Sequence, residues 1–100
     1  MIDTETIDRL SRKYSVSQEE FIKLGSILAV KEKKRNLQIE RIEILARYGA
    51  LTVKDMEERI KTGDVPEHPA WEDLIEIKNI ESEISEIEND IRTLQAEQEN

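Results

Sequence analysis

Cysteine is absent from this chain of 100 residues, and proline, glycine and aromatic residues are scarce. Without cysteine the protein forms no disulfide and offers no thiolate to a metal, a composition that is typical of cytosolic proteins. Only two prolines and three glycines interrupt the helical pattern. No apolar run approaches the roughly 20 residues that a membrane span requires. We therefore expect a helical cytoplasmic protein that makes no membrane contact.

Catalytic motifs are also missing. The chain contains no Ser/His/Asp or Cys/His set and no glycine-rich phosphate loop. Its single histidine, His68, cannot form a metal site alone. The pairs Glu40/Glu43 and Glu83/Glu86 have the E-x-x-E spacing with which helical nucleotide hydrolases hold Mg²⁺, but such pairs arise easily among 23 acidic residues. We expect no catalytic residue, metal or cofactor, and keep the magnesium-dependent hydrolase as a third hypothesis.

The most informative pattern is a row of apolar residues near the C-terminus, spaced alternately by three and four positions. This is the a/d alternation of a coiled coil, and so narrow a stripe must pack against another helix. That helix belongs either to a partner or to the same chain. Trp71 precedes the row and is either a core residue or an anchor for a partner. We call the row the isoleucine ladder: Ile77, Ile80, Ile84, Ile87, Ile91 and Leu94.

Start and stop signals predict four helices in one all-α domain, 1–100. Asp3, Ser17 and Thr52 are placed to cap helix starts, and Gly49 and Gly63 to end helices. The helices are expected at about 3–13, 17–48, 52–62 and 70–98, with a proline turn at 64–69. The two long helices should form an antiparallel hairpin whose coiled-coil-like last helix associates further. Gly25 leaves open whether the second helix is continuous. Its apolar residues include Phe21, Leu24, Ile27, Leu28, Leu37, Ile42, Ile44, Leu45 and Tyr48.

Charge is distributed unevenly along the chain, whose net charge is −8. Residues 31–62 carry a net charge of +3 and residues 63–100 a net charge of −10. The single basic run is a candidate nucleic-acid contact, but no aromatic residue interrupts it and its surroundings are acidic. The same run could instead pair with the acidic last helix. It consists of Lys31, Lys33, Lys34 and Arg35.

One segment resembles a known group. The helix end Ile44–Gly49, the short capped helix that follows, and the block Glu67-His68-Pro69-Ala70-Trp71-Glu72-Asp73 are similar to those of small uncharacterised prokaryotic proteins, many of them archaeal. The resemblance spans about Ile44 to Glu88. Some members look like the antitoxins of toxin–antitoxin pairs. The resemblance implies a helical protein with an acidic terminal helix, and it assigns no functional residue.

Three functional hypotheses follow. The leading one is a non-enzymatic protein–protein interaction module, in its most concrete form an antitoxin-like component that neutralises a basic toxin. Its partners would be a second copy of the chain, a basic protein, or both, and the ladder with Trp71 would form the interface. The second is a nucleic-acid-associated regulator that uses 31–35. The third is the magnesium-dependent hydrolase.

Overall fold

The computed structural model describes residues 2–97. Those residues form helices and turns without any strand, so the all-α class is confirmed. Residue 98, where the last helix is predicted to end, lies outside the described residues. The helices are α1 (Thr4–Lys13), α2 (Gln18–Arg47), α3 (Val53–Lys61) and α4 (Glu67–Ala96).

Three helices begin at the side-chain caps that the sequence predicts. Each cap oxygen accepts a hydrogen bond from a backbone N–H three residues on, which satisfies a donor that has no partner inside the helix. The N–H groups of Thr6, Glu20 and Asp55 donate to Asp3, Ser17 and Thr52 at 2.8, 3.0 and 3.0 Å. After α2 and α3 the chain turns at Gly49 and Gly63, whose φ angles of 63° and 82° favour glycine.

The start of α4 differs from the prediction. The helical segment begins at Glu67, within the predicted turn, and is interrupted at His68, where φ is −114° and ψ is 127°. The bond from His68 to Pro69 is cis. The interruption follows from sterics, because a residue that precedes proline is held in extended backbone. The regular helix therefore starts after His68, as the position of Pro69 suggests.

The two long helices set the shape of the molecule. Each contains 30 residues and is about 45 Å long at 1.5 Å per residue. They run antiparallel, and the molecule measures 60 × 28 × 17 Å. The helix α2 is continuous through Gly25. No helix within residues 2–97 is both long and apolar enough to cross a membrane.

The main core lies where α3 packs on the paired ends of α2 and α4. Met56, Leu74 and Ile77 are fully buried there. Lys78 Nζ lies 2.7 Å from Glu57 Oε1 and joins α4 to α3 at the edge of this core. The helix α1 contacts the first half of α2 instead. The buried residues of this core are Leu37, Ile44, Leu45, Ala50, Met56, Ile60, Ala70, Leu74, Ile77 and Ile80.

The core makes Ile77 a sensitive position. Ile77→Ala should lower the free energy of unfolding by about 2–5 kcal/mol, because it removes a fully buried side chain and leaves a cavity. Ile75 on the same helix is 59% exposed, so Ile75→Ala should change that free energy by at most about 0.5 kcal/mol. Urea unfolding followed by circular dichroism measures both. Equal effects of the two substitutions would contradict the packing.

Candidate interaction surfaces

The isoleucine ladder packs mainly within the chain. Ile77, Ile80 and Ile91 are at most 9% exposed, and α2 covers them. These three are not accessible to a partner while the hairpin is closed. The remaining rungs, Ile84, Ile87 and Leu94, are half-buried and keep an exposed edge. Of the two alternatives for the ladder, packing on the second helix is therefore the one that the structure contains.

The inward face of α2 has the same coiled-coil spacing as the ladder. Its residues follow one another at alternating intervals of three and four positions, so they form one stripe along the helix. Two of these positions hold basic residues where a coiled coil usually has apolar ones. We call this stripe the α2 seam: Ile27, Val30, Lys34, Leu37, Arg41, Ile44 and Tyr48.

The two basic residues of the α2 seam face carboxylates of α4. Lys34 Nζ lies 3.9 Å from Glu88 Oε1, and Arg41 Nε lies 3.4 Å from Glu81 Oε2. The pairs are seven positions apart on each helix and in opposite directions, so they define an antiparallel register with a one-heptad repeat. The basic side chains are only 29% and 30% exposed. Screening by water is therefore weaker for them than for surface pairs.

A third polar contact holds the end of the hairpin. The Tyr48 hydroxyl donates a hydrogen bond to Asp73, and Arg47 Nη1 lies 3.7 Å from the same carboxylate. Burial of the phenol, together with the hydrogen bond to Asp73 and the charge of that carboxylate, raises the pKa of Tyr48 from 10.0 to about 12. Tyr48 is thus a core residue, as the sequence indicates, whose hydroxyl group also links α2 to α4.

The raised pKa predicts a dependence of stability on pH. Folded Tyr48 holds its proton more tightly than the unfolded chain does, so its contribution is complete below pH 10.0 and is lost as the pH rises towards 12. Asp73→Asn should lower the pKa of Tyr48 only in part, because burial remains. Tyrosinate absorbance measures it in a Tyr14→Phe background, which leaves a single titrating tyrosine. A titration unchanged by Asp73→Asn would contradict the contact.

The ion pairs predict a charge-swap result. Arg41→Glu places a carboxylate against Glu81 in a half-buried groove and should cost about 1–3 kcal/mol of unfolding free energy. Adding Glu81→Arg restores opposite charges and should recover most of that loss. Urea unfolding of the two single variants and the double variant gives the coupling energy. Strictly additive effects would mean that the two side chains do not interact.

The basic run is divided between different faces of α2. Lys34 is part of the α2 seam, and Arg35 Nη1 lies 3.7 Å from Glu32 Oε2. Lys31 and Lys33 are exposed, but two positions along a helix point to different sides. Lys31 and Arg35, four positions apart, share the outward face. The structure therefore brings two of the four predicted residues together, and contact with nucleic acid stays a prediction.

Trp71 is the one predicted interface residue ahead of the ladder. It lies in the first regular turn of α4 and is 37% exposed, so the side chain is partly packed and keeps an accessible edge. Ile75, one turn on, is 59% exposed.

His68 Nδ1 lies 2.9 Å from Glu72 Oε1 at the surface. No group of three or more histidine, aspartate or glutamate side chains able to hold a metal converges anywhere in 2–97.

A second row on α2, which the sequence reading did not separate from the seam, faces away from α4. Leu28 and Ile42 are 67% and 60% exposed, and Leu24 and Ile39 are each 42% exposed. Residue spacing reveals the row once the helix is divided into two faces, which lie about 135° apart at 3.6 residues per turn. We call it the α2 outer row: Leu24, Leu28, Lys31, Arg35, Ile39, Ile42 and Ala46.

One exposed side of α4 is acidic. Its carboxylates differ from those of Glu81 and Glu88, because among residues 2–97 none of them has a basic nitrogen within 4.0 Å. The E-x-x-E pair Glu83/Glu86 belongs to this face, and within residues 2–97 it forms no metal-holding group of three or more side chains with Glu40/Glu43. We call the face the α4 acidic row: Glu76, Glu83, Glu86, Asp90 and Glu97.

Fold and surfaces together define a small all-α protein built on an antiparallel helical hairpin. Residues 6–99 match the uncharacterized protein MJ0235 family. Because the match covers nearly the whole chain, the protein belongs to this family. No curated protein and no solved structure matches the chain.

Proposed function

We propose that this protein is a non-enzymatic protein–protein interaction module that binds a basic partner through the α4 acidic row. The observation that carries the proposal is the division of the carboxylates on α4. Those that face α2, such as Glu81 and Glu88, have basic partners at 3.4 and 3.9 Å. Those of the acidic row are exposed and have no such partner in the described part of the chain, so that surface is open to a basic protein.

Repulsion within the α4 acidic row supports this interpretation. Glu83, Glu86 and Asp90 follow one another at intervals of three and four positions, which makes them neighbours on the helix surface. Like charges at such spacings destabilise a helix by about 0.2–0.5 kcal/mol per pair. The buried side of α4 outweighs this cost in the free protein. A basic partner would remove the repulsion on binding, which adds to the binding free energy.

The antitoxin-like role is the concrete form of the proposal, and the family resemblance suggests it. An elongated acidic helix can lie along a basic surface and cover it. Opposite charges speed association and contribute to selectivity between partners. The half-buried edge of the ladder at Ile87, beside the acidic row on the same helix, could supply apolar contacts to the same partner. The cytoplasm is the expected location of this role.

The two alternatives have less support. Nucleic-acid binding would depend on 31–35, but Lys34 is engaged with Glu88 and the chain carries a net charge of −8, which repels phosphate. Magnesium-dependent hydrolysis needs converging carboxylates, whereas no group of three or more side chains able to hold a metal converges within residues 2–97. Low-salt gel-shift assays and phosphate-release assays test these alternatives directly.

The acidic row can be tested by neutralising it without changing its shape. The variant Glu83→Gln, Glu86→Gln, Asp90→Asn should lose a basic partner at least tenfold when tagged protein is used to capture proteins from the cells that make it. The control Glu40→Gln, Glu43→Gln, Glu58→Gln removes the same number of exposed charges from α2 and α3 and should capture the partner as the wild type does. Quantitative mass spectrometry compares the three captures.

The purified partner then gives the decisive titration. Its dissociation constant for the wild-type protein should rise with salt concentration, since screening weakens attraction between surface charges. The neutralised variant should show a weaker affinity and a smaller dependence on salt. A partner that binds both triple variants equally well, or one that is itself acidic, would contradict the proposal.

A further inference from the structure

The spacing of the α2 outer row is symmetric about Arg35. Intervals along the row are four, three, four, then four, three, four. Leu28 and Ile42 lie seven positions on either side of Arg35, and Leu24 and Ala46 lie eleven positions away. A two-fold symmetric pair requires a surface that is complementary to itself, with residue i meeting residue j and j meeting i. A row with this symmetry satisfies that requirement when two copies pair antiparallel.

The shape of the row is also complementary to itself. Beyond Ile42, the end of α2 and the turn into α3 form an open hollow of about 380 Å³. Ala46, Gly49 and Ala50 line it, and Leu51, which is 88% exposed, stands at its rim. At the other end of the row Leu24 and Leu28 protrude. Antiparallel pairing about Arg35 brings Leu28 of one copy to Ile42 of the other, and Leu24 to Ala46 at the hollow.

The positive charge of Arg35 in the middle of the row has a carboxylate beside it. Arg35 Nη1 lies 3.7 Å from Glu32 Oε2 on the same helix, so two copies bring two guanidinium groups and two carboxylates to the symmetry axis. Lys31 is opposite Ile39 in this pairing, and its aliphatic stem can cover that side chain while the ammonium group stays in water. The two Glu32 carboxylates therefore offset the like charges of the two Arg35 side chains at the centre.

We propose that the α2 outer row is the interface of a symmetric antiparallel homodimer, occupied by a second copy of this chain. From Leu24 to Ala46 the interface is about 33 Å long at 1.5 Å per residue. The dimer uses α2, whereas the proposed basic partner uses α4, so this inference does not depend on the proposed function.

The mass in solution tests the pairing. Light scattering across a range of concentrations should give a mass approaching twice the 11.7 kDa of one chain. The variant Leu28→Glu, Ile42→Glu should stay monomeric and helical at every concentration. The control Ile75→Glu changes an equally exposed isoleucine on α4 and should dimerise as the wild type does. A monomeric wild-type protein, or a dimer that survives the double substitution, would overturn the proposal.

Disulfide trapping tests the orientation, with no background because the chain lacks cysteine. Arg35→Cys lies on the proposed axis and should form a covalent dimer under mild oxidation. Leu28→Cys alone and Ile42→Cys alone should not, since each would be about 21 Å from its counterpart. A mixture of these two variants should form the mixed disulfide. Efficient self-linking of Leu28→Cys would indicate a parallel pair and overturn the proposed geometry.

Discussion

The register between α2 and α4 is the constraint on which the rest of the structure depends. Burial of the ladder supplies the driving force, but a row of isoleucines could slide by one heptad and bury nearly the same area.

The charged pairs distinguish these registers. A slip in one direction would bring Arg41 opposite Glu88 and leave Lys34 facing Gln95. A slip in the other would pair Lys34 with Glu81 and place Arg41 against Leu74. Either slip also separates Tyr48 from Asp73. Polar residues at seam positions are known to specify register in this way, at some cost in stability.

The same register decides which charges remain accessible. The basic residues on the α2 seam neutralise only those carboxylates of α4 that face inward, and α4 has further carboxylates on its outer side. Five of the twelve acidic residues in 63–100 are therefore displayed on one long surface. The outward face of α2 is instead apolar at both ends and basic in the middle. A single hairpin thus presents two surfaces of different chemistry on its two helices.

Local features of the fold could be predicted from the sequence because their physics is local. The caps at Asp3, Ser17 and Thr52 and the glycine stops each depend on a few neighbouring residues. The ladder was also visible, but its partner was not, since an a/d row looks the same whether the facing helix belongs to the same chain or to another. The outer row was missed because the apolar residues of α2 were read as one set. Only the position of α4 shows that Ile44 is inside and Ile42 outside.

Placing the two surfaces on different helices has a consequence for affinity. In the proposed dimer the α2 outer rows are buried at the two-fold axis, while each α4 keeps its acidic row exposed. A dimer would then carry two equivalent acidic surfaces on a rigid frame. Two partner molecules could bind independently, whereas a partner with two basic surfaces, or one that is itself dimeric, would gain from the high effective concentration of the second site. Because that gain requires both surfaces to be reached at once, the antiparallel geometry would select partners by the spacing of their basic surfaces as well as by charge.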